Sequence, residues 1–380
     1  MSTAATIRPL APSTGLLGAL VVTGVTATAL AAAFQPAEAW AGVLAAGLYG
    51  TTLALGGALF LAIQVVSGAR WWFPLRSVPL RLAGTLPVPL AAVALALVFG
   101  LTTLYPWARP AVVEASALLQ AKRAWLNPPL FLARAVIVAL VWLWLVGALR
   151  STLDAAIAAP SPAARQRLVR ASLVFLPAFA VTLSVAAWDW GMSLEPEWFS
   201  TMYGVLVFAG TLQGGIAAVT ALSLLLDRQG KLAAPLAAGA RHDLGKLLFA
   251  FSTFWAYVWF CQYMLVWYAN LPEETGHYVA RLGGGWSTLF WFDPVLCFVV
   301  PFVAQISQGA KRDPGTLYAV ALVVLAGRWL DTYLLVAPTQ GRVPGLPLGA
   351  IAAAVAVLAG MRLLWERGRG GGPERTVGGG

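Results

Sequence analysis

Four ionisable residues, Asp189, Asp293, Arg328 and Asp331, stand inside stretches that are otherwise apolar. A charge held in a lipid-like interior is costly, which makes each of them a functional candidate by default. Asp189 closes one apolar run and Asp293 opens another. Arg328 and Asp331 share a third at i, i+3, on one helical face where guanidinium and carboxylate can neutralise each other. Two readings of that pair stand side by side: a charge-neutral clamp between helices, or a group that relays protons or meets a quinol headgroup. Thr182 and Ser184 precede Asp189, and Tyr257, Gln262, Tyr263, Tyr268 and Asn270 occupy the run before Asp293. Tyr257, Cys261, Met264 and Tyr268 recur at i, i+4, i+7 and i+11 and draw a single stripe, which suits helix packing or a pathway. Gln64, Ser252, Thr253, Gln305 and Ser307 are polar but do not titrate near neutral pH. The sequence thus predicts an acidic half-pathway through Asp189, Asp293, Arg328, Asp331, Tyr257 and Gln262, and a neutral half represented by Gln305.

The chain brings little metal chemistry of its own. Its 2 Cys and 2 His cannot make a disulfide scaffold, a four-cysteine zinc site or an iron–sulfur cluster. His242 and His277 fall in loops on opposite sides of the seventh apolar run, so a haem held between two histidines within this chain is excluded. No phosphate-binding loop, catalytic triad or zinc signature is present.

The elements that must position these residues are membrane helices. Of 380 residues, 59% are apolar and 11% charged, where a soluble chain carries about 25% charged. A water-soluble enzyme and a disordered chain are both excluded. Apolar runs of spanning length fall at 15–34, 40–66, 86–105, 129–149, 171–192, 202–226, 244–270, 288–307, 317–336 and 346–364. The first, preceded by Arg8 and followed by Ala37-Glu38-Ala39, is read as a retained span and not as a signal peptide. The stretch 1–366 is read as one ten-helix domain, and 367–380, Gly-rich, as a disordered cytoplasmic tail.

Orientation follows from the basic residues of the short loops. Arg109, Lys122, Arg123, Arg281 and Arg342 fall on one side and Arg134 within a span, while the other side gathers Arg8, Arg76, Arg165, Arg228, Arg241, Lys311, Arg362, Arg375 and most of the rest. Both termini are therefore expected in the cytoplasm. The net charge of +10 is accounted for by basic loops against anionic lipid headgroups, without nucleic acid. The opposite face collects Glu38, Glu114, Glu195, Glu197, Glu273 and Glu274 with many Trp, which reads as an aromatic belt or as a docking surface for an extracytoplasmic partner. Pro177 and Pro301 each free a backbone carbonyl inside a span that also carries an acid, and Gly210 and Gly214 make a GxxxG packing face.

From the fifth run to the eighth the text becomes specific. WDWGMSLEPEWFSTMYG (188–204) and RHDLGKLLFAFSTFWAYVWFCQYMLVWYANLPEETGHY (241–278) closely resemble the ActF-type, NrfD-like membrane subunits of bacterial alternative complex III. In that family's motif a His often stands where this chain carries Glu197. The resemblance implies an all-α integral membrane fold of ten helices. Two four-helix bundles are expected, spans two to five (about 40–192) and six to nine (about 200–337), with the first and tenth peripheral. It implies a bacterial inner-membrane subunit without cofactors of its own. Expected partners are an ActC-type NrfD-like subunit, iron–sulfur and multihaem c-type cytochrome subunits that hold the iron–sulfur clusters and haem c, menaquinol as reductant, and a cytochrome c oxidase downstream. Structural support and proton conduction are the roles it implies. A quinol-binding anchor of an iron–sulfur or molybdopterin oxidoreductase is the catalytic alternative, and a secondary transporter a third reading.

Overall fold

The computed structural model describes residues 13–340 and 348–367; Arg8, Arg342, Arg375 and the expected start of the tenth span lie outside them. Every regular element among the described residues is helical. Ten helices are long and apolar enough to cross a membrane: Thr14–Phe34, Pro36–Val66, Ser77–Phe99, Pro128–Ala158, Pro162–Leu194, Tyr203–Arg228, Ala238–Ala269, Ser287–Ala304, Pro314–Gln340 and Leu348–Arg367. They are the first to tenth spans below. The tenth helix runs through Arg367, one residue into the expected tail; the rest of that tail, 368–380, lies outside the described residues.

Several helices outrun their apolar stretches because capping, not hydropathy, sets their ends. Asn127 accepts the amide of Leu130 (3.1 Å), Ser161 that of Ala164 (3.2 Å) and Asp313 that of Thr316 (2.7 Å), each directly before a proline at the first helical position. The fourth and fifth helices therefore begin or end well beyond the membrane-length core and carry Arg150, Arg165, Arg167 and Arg170 on polar extensions.

The second and sixth spans form the centre, with 83% and 78% of their apolar windows buried against 11% for the first. They cross where Gly56 meets Gly215: a Cβ on Gly215 would lie 2.5 Å from the Gly56 backbone, and one on Gly56 2.6 Å from the Gly215 Cα. Small residues permit such backbone contact in lipid. Around this axis the fourth span pairs with the fifth, the seventh and ninth pack on the sixth, the eighth on the ninth, and the first on the tenth.

Of the GxxxG pair, Gly214 serves the helix packing expected and Gly210 does not. Gly214 faces Leu53, and Gly210 faces the Arg328 guanidinium, where a Cβ would stand 2.0 Å from Nη2. Gly210 makes room for a buried cation rather than for a helix backbone.

Two π-helical turns interrupt the spans that carry acids, Ala187–Gly191 around Asp189 and Val295–Val299 just after Asp293. Such turns leave carbonyls that need other donors. In the fifth span Asp189 O accepts from Ser193 Oγ (2.5 Å) and Trp190 O from the Tyr105 hydroxyl (2.9 Å). In the eighth, Pro301 has no amide for the carbonyl of Cys297, which instead accepts from Gln213 Nε2 at 2.6 Å. Pro177 lies inside the fifth span ten residues before the π-helical turn that carries Asp189.

Candidate functional site

Asp293, Arg328 and Asp331 meet in the interior, each at most 5% exposed. Arg328 Nη2 donates to Asp331 Oδ2 at 2.8 Å, and the Asp293 and Asp331 carboxyls hydrogen-bond each other. Two carboxyl groups in hydrogen-bond contact hold a proton between them. With one proton on the acid pair, one remaining negative charge and the guanidinium, the cluster is neutral, the state in which ionisable groups tolerate burial. Cys297 Sγ lies 3.4 Å from Asp293 Oδ1, and the guanidinium carbon is 5.5 Å from the centroid of the Trp255 ring. The eighth and ninth spans supply the acids, and the glycine of the sixth supplies the space.

Several buried polar atoms have no protein partner. Among the described residues they include Arg328 Nη1, Trp255 Nε1, Thr51 Oγ1, Gln213 Oε1, Thr220 Oγ1, Ser223 Oγ and both side-chain atoms of Gln305. Gln213, Thr220 and Ser223 stand at i, i+7 and i+10 of the sixth span and lead from the acids towards its basic end at Arg228. Buried polar groups find partners, and where protein supplies none ordered water does. Arg328 also lines a cavity of about 50 Å³ with Thr51, Trp142, Trp190, Gly191, Tyr203 and Thr332 among others. Its lining is mostly apolar, with Arg328, Thr51, Thr52, Thr332 and Tyr203 as the polar side chains around it.

Asp189 belongs to a separate, closed arrangement. Arg134 donates to it twice, from Nε at 2.7 Å and Nη2 at 3.1 Å, and Trp125 Nε1 donates at 2.9 Å. The guanidinium also lies over the Trp125 ring, 4.1 Å from its centroid. This planar fork on a 1% exposed carboxylate ties the fourth span to the fifth. Sequence reading left Arg134 unpaired; its place six residues into a capped helix was the available signal.

Near the acidic face a third cluster joins Glu195, His277 and Arg281. Glu195 lies 2.5 Å from His277 Nδ1 and 3.0 Å from Arg281 Nη1. Arg281 also donates to the carbonyls of Leu334 and Leu335, which cap the end of the ninth helix. Trp198 stacks on the imidazole with centroids 3.8 Å apart. Burial raises the Glu195 carboxyl, but the Arg281 charge and the hydrogen bond from His277 outweigh it and hold it at about 2. Burial and then Arg281 lower His277 to about 4, against the opposing pull of Glu195. The imidazole is neutral at pH 7, and its Nδ1–H donates a hydrogen bond to the Glu195 carboxylate. His277 and Arg281 are i, i+4 on the helix Pro272–Leu282, a spacing visible in the sequence.

A His at about 4 in the fold and near 6.5 in the unfolded chain takes up its proton first when unfolded. Stability is therefore expected to fall as pH drops from about 6.5 to 4, by on the order of 3 kcal/mol. Glu195 adds a loss of the same sign below about 4.5. Melting of the detergent-solubilised protein from pH 7 to 4.5 should show the slope, and His277→Gln should flatten it; an unchanged slope would assign the pH dependence elsewhere.

The structure thus joins Asp293, Arg328 and Asp331, and sets the other candidates apart. Tyr257 is 64% exposed on the outer surface of the seventh span, so the stripe through Cys261, Met264 and Tyr268 faces away from the acids. Gln262 is buried, and its partner is the Tyr278 phenol. Gln305 is fully buried without a protein partner. Tyr203, which the sequence did not single out, is within electrostatic reach of Asp331 on one side and of Glu195 and Arg281 on the other. Among the described residues no three His, Cys, Asp or Glu come together as metal ligands. These features define an all-helical chain with ten potential membrane spans and a buried, proton-sharing acid pair. Compared with known protein families and with curated proteins, the chain matches none.

Proposed function

We propose that this chain is a cofactor-free integral subunit of a respiratory quinol:cytochrome c oxidoreductase of the alternative complex III type, and that it conducts protons. It sits in a bacterial cytoplasmic membrane with both termini on the cytoplasmic side. The two sequence blocks at 188–204 and 241–278 and the basic loops favour this reading. The packing is compatible with two four-helix bundles, spans two to five and six to nine: the second and sixth spans cross at Gly56–Gly215, the fourth pairs with the fifth, the seventh and ninth pack on the sixth, and the first pairs with the tenth. Haem c, iron–sulfur clusters and the menaquinol site belong to its partners.

One observation carries the mechanism: the Asp293–Asp331 pair shares a proton beside Arg328, with unpartnered polar atoms of the sixth span following towards its basic end. Gln213, Thr220, Ser223 and Gln305 line the approach from the basic end through water. The Tyr203 phenol, within electrostatic reach of Asp331, Glu195 and Arg281, marks the departure towards Glu195 and His277. Asp189, closed by Arg134, is left out of this route. The cavity beside Trp190 is water-sized, whereas ligand pockets run to about 300–1,000 Å³, and so a quinol-binding role is not put forward.

Purification of the tagged chain from its native membrane is expected to bring down c-type haem and iron–sulfur subunits. In the reconstituted complex Asp293→Asn and Asp331→Asn should abolish proton release coupled to electron transfer while haem reduction by quinol continues. Full proton release per electron in an assembled Asp331→Asn complex would remove the conducting role, and purification of the chain without redox subunits would remove the assignment to the complex.

A further inference from the structure

The basic end of the seventh span carries a cluster of cations that the proton route does not use. Gly245 is pressed against the short helix Gln308–Arg312, where a Cβ would stand 2.9 Å from the Lys311 Cβ and carbonyl oxygen. This close approach sets Arg241, one turn earlier, beside Lys311 and Arg312. Arg241 donates to the Leu236 carbonyl at 2.6 Å and to the Arg312 carbonyl at 3.1 Å. Lys311 donates to the Ile306 carbonyl at 3.3 Å, and its Nζ lies 4.4 Å from the Phe249 ring centroid. Backbone and an aromatic ring, not acids, hold these side chains in place. The neighbouring carboxylates are engaged elsewhere: Asp243 pairs with Lys246 at 2.6 Å, and Asp313 caps the helix at Thr316. Arg241, Lys246, Lys311 and Arg312 thus outnumber the local acids and leave a concentrated positive charge.

The depth of this cluster follows from helix lengths. The eighth span, Ser287–Ala304, has 18 residues, about 27 Å of helix and close to the hydrocarbon thickness of a bilayer. The helix Gln308–Arg312 that follows it therefore sits at headgroup level. Running from it into the apolar zone, Val299, Val303 and Ile306 are exposed at i, i+4 and i+7, by 44%, 62% and 61%. Cations at the headgroup layer directly above an exposed aliphatic stripe match an amphiphile with an anionic head and acyl chains.

We propose that Arg241, Lys311 and Arg312 form a headgroup site for an anionic phospholipid whose acyl chains lie along Val299, Val303 and Ile306. The guanidinium groups and the ammonium take the phosphate oxygens, and the aliphatic stripe takes the chains.

The full chain, with whatever subunits accompany it, is delipidated in uncharged detergent and offered diphosphatidylglycerol, phosphatidylglycerol, phosphatidylcholine or inorganic phosphate. Retained lipid is counted by native mass spectrometry, and melting is followed by tryptophan fluorescence. The two anionic lipids should be retained at least tenfold more tightly than phosphatidylcholine and should raise the melting temperature; phosphate alone should do neither. Arg241→Gln/Lys311→Gln/Arg312→Gln should lose this preference at least tenfold, and Arg165→Gln/Arg167→Gln/Arg170→Gln at another basic loop should keep it. Val303→Glu, which leaves the cations in place and repels the chains, should weaken retention as well. Equal loss in both triple variants, full retention in Val303→Glu, or stabilisation by phosphate alone would overturn the site.

Discussion

Arg328→Met is expected to destabilise the protein by about 3–5 kcal/mol, the cost of stranding a buried charge. The guanidinium is the cation paired with Asp331, and Asp293 leans on the same carboxyl. Without it the acid pair must take up a further proton or move, in an interior where Asp331 is 4% exposed. Arg328→Met/Asp331→Leu should recover most of the loss, because well-packed apolar groups replace a buried ion pair at little cost. Melting in detergent of wild type, single and double variants measures both. The double variant separates the two roles weighed for this pair. A clamp restored by packing predicts that stability and proton release return together; a relay predicts that stability returns while proton release stays lost. A single variant that melts like the wild type would show that Asp331 finds another partner, and the cluster would not be the neutral unit described above.

How much of this was legible follows from what each signal encodes. Lipid solvent writes hydropathy into the chain, so ten spans could be read directly, and their cores coincide with the helices found. Helix ends obey capping chemistry, and Asn127-Pro128, Ser161-Pro162 and Asp313-Pro314 announced starts that an apolar window ignores. The i, i+3 spacing of Arg328 and Asp331 was sufficient to pair them. The approach of Asp293 was not readable, because it depends on how the eighth span packs against the ninth after its π-helical turn. The stripe through Tyr257 shows the converse failure. Regular spacing says that residues share a face, and only packing says whether that face looks inward. Gly210 fails in the same way, since a small residue makes space without stating what fills it.

Arg134→Ala should rank second in cost, again about 3–5 kcal/mol, and should exceed Asp189→Asn. The asymmetry comes from exposure. Asp189 is 1% exposed and loses its cation with two of its three donors, whereas Arg134, 16% exposed, can turn to solvent when the carboxylate becomes an amide. Arg134→Lys should fall between, about 1–2 kcal/mol, since an ammonium cannot fork onto both carboxylate oxygens or stack flat on Trp125. The measurement is the melting temperature of the three variants under one detergent and pH. Assembled complexes carrying any of them should release protons normally, because a closed bidentate pair has no free position for a transferred proton. If Asp189→Asn melted like the wild type yet abolished proton release, the carboxylate would belong to the route and not to the seam between the fourth and fifth spans.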